Sequence, residues 1–212
     1  MPNFNTPVGL KPVKHLDGSS WNQQVTLYFI PSSDTNAYFI GDVVVSIANG
    51  DLNTGASGVT LFGTRNAAST TGSPRGVVCG LGAQVNTPGG SSPQPFDPNN
   101  LNLISIPAIK TQNYYVWVCD DPTVIFEAQT DTIANTAFNK NAPLFVGLAP
   151  TAPVNQSLSF VQGSAAAVTQ TLPLRIIGAP FRIDDDLSSP GTFAKVLVKF
   201  NQHELLGNTV GV

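Results

Sequence analysis

Histidine and cysteine each occur twice in the 212 residues, methionine once, and only 11% of the chain is charged. Each shortage excludes something. The histidines, His15 and His203, sit at opposite ends, so no strand offers the neighbouring ligands that a cupin-like His/His/Glu metal site requires. A chain of this length buries a core without staples. Cys79 and Cys119 each lie in an apolar, β-type run and read as core thiols; a disulfide would need their Cα atoms within about 7 Å. No apolar run approaches the roughly 20 residues of a membrane span. Met1 to Leu10 lacks the basic start and apolar centre of a signal peptide. The expectation is therefore a protein made and kept soluble in a cytoplasm, with Asn155-Gln156-Ser157 a chance glycosylation sequon. The net charge of -3 and the scatter of ten basic residues argue against a non-sequence-specific nucleic-acid binder, so neither nucleic acid nor membrane is expected as a partner.

What replaces charge is amide and hydroxyl: 18 asparagines and 19 threonines. Soluble domains usually carry about 25% charged residues. Neutral hydrogen-bonding groups cost less to desolvate than ions, so such a surface suits close packing against other protein.

Period-2 alternation in β-branched and aromatic runs, punctuated by turn residues, recurs from end to end and predicts an all-β domain, a β-sandwich or jelly-roll-like body. Strands are expected at residues 24–30, 37–47, 59–63, 76–85, 101–106, 114–119, 124–129, 144–147, 158–161, 174–183 and 193–200. In the last, Ala194, Val196, Val198 and Phe200 share one face, and Lys195 and Lys199 the other. Tyr114 to Cys119 is apolar on both faces, with Tyr115 and Trp117 opposite Val116 and Val118, as in a central strand. At most one short helix is expected, capped by Thr130 or Asp131 and running to about Phe138, with Ile133 and Ala137 at i and i+4. Asn86 to Asn100, with four prolines, reads as a long loop. Residues 1–20, punctuated by Pro2, Pro7 and Pro12, read as an extended N-terminal arm preceding a single domain over residues 21–212. Such an arm stays attached only if something buries Phe4, Val8 and Leu10. No internal repeat is visible.

Chemistry-bearing constellations are weak. Asp184-Asp185-Asp186, with help from Asp120-Asp121, could ligate calcium, but the spacing is not that of an EF-hand loop and a polar turn is the preferred reading. His203-Glu204 reads as a solvent-exposed pair near the terminus. Gly80-Leu81-Gly82 resembles half of a dinucleotide fingerprint but lies in a strand with no helix after it, so a bulge or close-packing site is expected. No serine occupies a Gly-x-Ser-x-Gly elbow, and no catalytic residue, metal or cofactor is assigned. Trp21, Tyr38 or Trp117 could form a sugar-stacking platform, although aromatics in β-proteins are more often core.

Three stretches carry a family resemblance. The first runs from Gly9-Leu10-Lys11-Pro12-Val13-Lys14-His15-Leu16-Asp17-Gly18 through Leu27-Tyr28-Phe29-Ile30-Pro31-Ser32-Ser33-Asp34 to Phe39-Ile40-Gly41-Asp42. The second is Tyr115 to Gln129, containing Asp120-Asp121-Pro122 and Phe126-Glu127. The third pairs Leu174-Arg175-Ile176-Ile177-Gly178 with the segment from Ala194 to His203. In order and across nearly the whole chain, they resemble the head cement, or decoration, proteins of tailed bacteriophages; the Pro-rich stretch at 86–100 departs from that pattern. The resemblance implies a virion protein on the outer surface of the capsid, synthesised in the host cytoplasm. It would bind the major capsid protein and itself, as a homo-dimer or homo-trimer, and stabilise the head. Phe4, Val8, Leu10 and Pro12 are the candidate capsid contacts. A carbohydrate- or receptor-binding module is the alternative.

Overall fold

The clearest alternation in the sequence becomes a strand of a five-stranded antiparallel sheet in the computed structural model, which describes residues 3–84, 103–151, 156–183, 185–188 and 191–206. Among the described residues, fifteen short strands begin with β1 (Lys11–His15), β2 (Thr26–Ile30), β3 (Val43–Gly50), β4 (Ser57–Leu61), β5 (Ala67–Ser69), β6 (Gly76–Ala83), β7 (Tyr114–Cys119) and β8 (Val124–Gln129). They continue with β9 (Thr132–Ile133), β10 (Asn141–Ala142), β11 (Leu144–Val146), β12 (Phe160–Val161), β13 (Leu174–Gly178), β14 (Gly191–Thr192) and β15 (Lys195–Phe200). The all-β fold class expected from the alternation is what the chain adopts. Two layers dominate: a closed barrel in the order β2-β4-β3-β6-β7 and an open sheet in the order β1-β8-β15-β13-β10.

One hydrophobic core joins them. Val44, Val59, Val77, Val78, Val116 and Val118 from the barrel and Val124, Phe126, Leu174, Ile176, Val196 and Val198 from the sheet belong to a single buried cluster. Every inward position of β15 is buried while Lys195, Leu197 and Lys199 are partly exposed, as period 2 demands of a strand with one covered face. β7 is paired on both sides, with β2 and β6. Its Val116 and Val118 enter the main core, whereas Tyr115 joins Phe29 and Ala56 in a second small cluster.

Gly80 sits at the register shift between β6 and β7, and a Cβ there would meet the Trp117 ring at 3.3 Å. The bulge and the close packing expected at Gly80 are both present.

Several expectations change in contact with tertiary structure; of the strand expected at 101–106, the described residues 103–106 hold only the Ile106 bridge to Tyr38. Residues 37–47 do not form one strand: Gly41, at φ 92°, turns the chain, leaving bridges at Tyr38 and Ile40 before β3 begins. Residues 131–138 form β9 and one 3-10 turn (Asn135–Ala137) instead of a capped helix. Ile133 and Ala137 are buried as the i, i+4 spacing requires. However, β9 pairs with β14, and the Asp131 carboxylate that would cap a helix accepts hydrogen bonds from the Thr132 and Ser164 backbones. Strand β13 stops at Gly178, ahead of Pro180, rather than reaching Ile183. The Pro-rich stretch at 86–100, the first two residues of the strand expected at 101–106, and Asn155 lie outside the described residues.

Candidate interaction surface

The edge of β8 would be open without a further strand, and the N-terminal segment supplies it. Lys11 pairs with Glu127 and Pro12 with Phe126. Upstream, the Asn3 side chain donates to the carbonyls of Asp186 (2.8 Å) and Thr192 (3.0 Å), and the Phe4 carbonyl accepts from Gln129 Nε2 at 2.7 Å. The Leu10 amide donates to the Gly41 carbonyl at 3.0 Å. Gly9 and Gly41 both have positive φ, and a Cβ on Gly9 would lie 2.4 Å from the Gly41 carbonyl oxygen, so this backbone contact requires glycine.

The four residues expected to contact a capsid therefore divide. Phe4 (80% exposed) and Val8 (41%) face solvent, whereas Leu10 (1%) is core and Pro12 is a half-buried member of β1. Leu10 is no capsid contact, because burial within its own chain leaves it no surface to offer. Of the stretch read as an arm, residues 10–15 belong to the sheet and its core.

A cleft of about 470 Å³ opens beside this segment, lined by Val8, Leu10, Trp21, Ile40, Cys79 and Arg182 among others. Arg182 reaches back to Glu127 of β8 at 2.7 Å. Its sequence neighbours Phe181 and Ile183 project fully into solvent. Because Glu127 and Gln129 stand on one face of β8, the tethers of Arg182 and of the Phe4 backbone bring the chain at Phe4 and at Phe181–Ile183 to that face, and Val8 lines the same cleft as Arg182; all four apolar residues are exposed. A shallower cleft of about 370 Å³ lies between Trp21, Gln23, Val25 and Trp117. Tyr38 is wholly buried and cannot belong to a sugar platform. The indole Nε1 of Trp21 is buried without a hydrogen-bond partner among the described residues.

Much of the small charge complement points inward. Asp42, fully buried, accepts from Arg65 Nη1 (3.0 Å) and Nη2 (2.5 Å) and from the Phe39 amide (2.9 Å). Lys110, its side chain fully buried, donates to the Asp34 carboxylate (3.2 Å) and to the carbonyls of Asp34 and Asn36. Burial depresses the Lys110 pKa, opposed by Asp34. Burial would raise the Asp34 carboxyl, but hydrogen bonds from Thr60, the Asn36 amide and Tyr38, with the Lys110 charge, hold it below the usual range. Arg75 donates to the Tyr28 hydroxyl, which donates to Asp120, and lies 3.7 Å from Glu204. These contacts lock the barrel's loops; a buried ion pair leaves no charge for the surface.

The acidic runs are occupied by donors of the chain itself. Asp120 accepts from Thr26 and Tyr28, Asp121 from Thr123, Asp185 from the Lys195 amide and Asp186 from the Ser188 amide; Asp184 lies outside the described residues. Among the described residues no three His, Cys, Asp or Glu side chains gather within reach of one metal ion. His203 is not a solvent-exposed partner of Glu204: it is 2% exposed, packs at a tilt against the Phe200 ring, and its Nδ1 accepts from the Leu205 amide at 3.0 Å. Burial, and then the Arg75 charge, lower its pKa. Cys79 and Cys119 are both unbonded thiols; burial pushes Cys79 up to about 11 and Cys119 up to about 12. No helix of the described residues is long and apolar enough to cross a membrane.

Neither a protein-family model, nor a curated protein, nor a solved structure matches this chain.

Proposed function

We propose that the protein is a structural component of a tailed-phage head, a cement or decoration protein that binds the outer surface of the shell and bridges major capsid protein subunits. The observation that carries this reading is the display of Phe4, Val8, Phe181 and Ile183 around the N-terminal segment of a body with few surface charges. Large apolar side chains gathered in the open on a β-scaffold mark a protein contact. The sequence resemblance supplies the kind of partner. A protein that binds only the assembled lattice stabilises it by linkage, since it adds binding free energy to the shell and none to separated subunits. Self-association as a dimer or trimer would multiply that effect where its spacing matches the lattice.

The test is the copy number of this chain relative to the major capsid protein in salt-washed particles, measured by quantitative mass spectrometry. A simple fixed ratio supports the reading, while a handful of copies per particle or none overturns it. Removal of residues 2–8, which spares Leu10 and β1, is expected to release the protein from particles on moderate heating while the protein stays folded, its own melting temperature lowered only by the lost hydrogen bonds of Asn3 and Phe4.

A second reading, a carbohydrate- or receptor-binding module, is favoured by the cleft that Trp21 and Trp117 line together with Gln23. Binding on a glycan array that is lost in Trp21→Ala would support it.

A further inference from the structure

The ten basic residues look scattered in the sequence, but the fold sorts them. Arg65, Arg75 and Lys110 are consumed by the internal networks. Five of the others converge on the outer face of the five-stranded sheet. Lys195 and Lys199 stand on that face of β15, and Arg175 of β13 is the direct cross-strand partner of Lys199. Lys11 of β1 pairs with Glu127, itself opposite Leu197, and Lys14 pairs with Ile125, two residues before Glu127 on β8. Cross-strand partners and residues two apart share a face, so the register alone places all five together. They span about 14 Å across three strand spacings and roughly 13 Å along β15.

Compensation on this face is slight. Glu127 is engaged by Arg182, which adds its own positive charge beside the cleft, and Asp185 accepts from the backbone amide of Lys195. None of the five cations has a side-chain ion pair among the described residues. Like charges directly opposite in a sheet, as at Arg175 and Lys199, destabilise it, a cost the isolated domain gains nothing from.

We propose that this face is the docking surface for an acidic, extended segment of a partner protein, its carboxylates meeting Lys11, Lys14, Arg175, Lys195 and Lys199. Charge complementarity selects an anion. Leu197 and Ile177, half-buried between the cations, and exposed Phe181 and Ile183 at the margin select one that alternates carboxylates with apolar side chains. A long phosphate polyanion fits less well, because it must also pass a body of net charge -3, whereas a short segment senses only the local field within a Debye length of about 8 Å. The face selects its partner by this chemistry whether or not that partner is a capsid protein.

The experiment uses the purified full chain and three labelled probes: a peptide alternating Glu with Val and Leu, a scrambled Lys-containing peptide, and a single-stranded oligonucleotide. Fluorescence anisotropy at low and at near-physiological salt is expected to show saturable binding of the acidic peptide alone. K195E/K199E should weaken it at least about tenfold while the protein stays folded, because a carboxylate at position 199 faces Arg175 and relieves the opposed charges. R175Q is the second variant, with a smaller loss of binding. Preferential binding of the oligonucleotide, binding of the acidic peptide that survives both sets of substitutions, or no saturable binding of the acidic peptide overturns the proposal.

Discussion

Replacing Arg65 by Met should expose how strongly the barrel depends on one ion pair. Asp42 is fully buried, and its hydrogen bonds come from the two Arg65 terminal nitrogens and the Phe39 amide. Arg65 also donates to the carbonyls of Ala37 and Gly147 and lies over the Phe39 ring. Removing the guanidinium leaves a buried carboxylate without its counter-charge, which costs about 3–5 kcal/mol. Because the Arg65 side chain keeps 16% of its exposure, water reaches the pair and the lower end, ~3 kcal/mol, is expected. In a domain of this size that lowers Tm by about 6–12 °C. Asp42→Ala in the Arg65→Met background should cost much less than the two single losses summed, since the second change removes the stranded charge. Urea denaturation followed by tryptophan fluorescence measures all three variants. Additive losses, or an Arg65→Met loss under about 1 kcal/mol, would refute the mutual dependence of the two side chains.

Two further outcomes follow from the other buried groups. Burial would raise the Asp51 carboxyl, but hydrogen bonds from Thr54, Tyr115 and the Asn53 and Thr54 amides outweigh it and bring it down to about 2. Its folded value thus lies below the unfolded one, so its stabilising contribution is complete above about pH 4 and is lost as pH falls through about 2. Tyr115→Phe should move the acid-unfolding midpoint to higher pH, as read by circular dichroism; an unchanged midpoint contradicts the assignment. Cys79 and Cys119, with thiol pKa values raised by burial, should react with a disulfide reagent at mildly alkaline pH far more slowly in the native protein than in guanidinium. Cys79, which lines both clefts, should react first. Immediate labelling of both thiols in the native state would show that the barrel opens more readily than its packing implies.

Local pattern alone determined much of this protein. The alternation in residues 193–200 and the two-faced apolar run at 114–119 are visible in sequence because a strand's side chains have a fixed period, whatever they pack against. β7, β8 and most of β15 lie where those patterns put them. Lys195 and Lys199 were legible as a pair for the same reason. Only the tertiary structure decided that Arg175 and Lys11 join them, since register between strands far apart in sequence leaves no local trace. It also decided that β2 meets β4 through a single parallel pair, Phe29 and Gly58, closing the barrel. The N-terminal segment illustrates the limit most clearly. Its prolines and sparse apolar residues describe an arm equally well whether its partner is another molecule or its own chain. The open edge of β8 and the glycine contact at Gly9 and Gly41 chose the second for residues 10–15, and left Phe4 and Val8 outside.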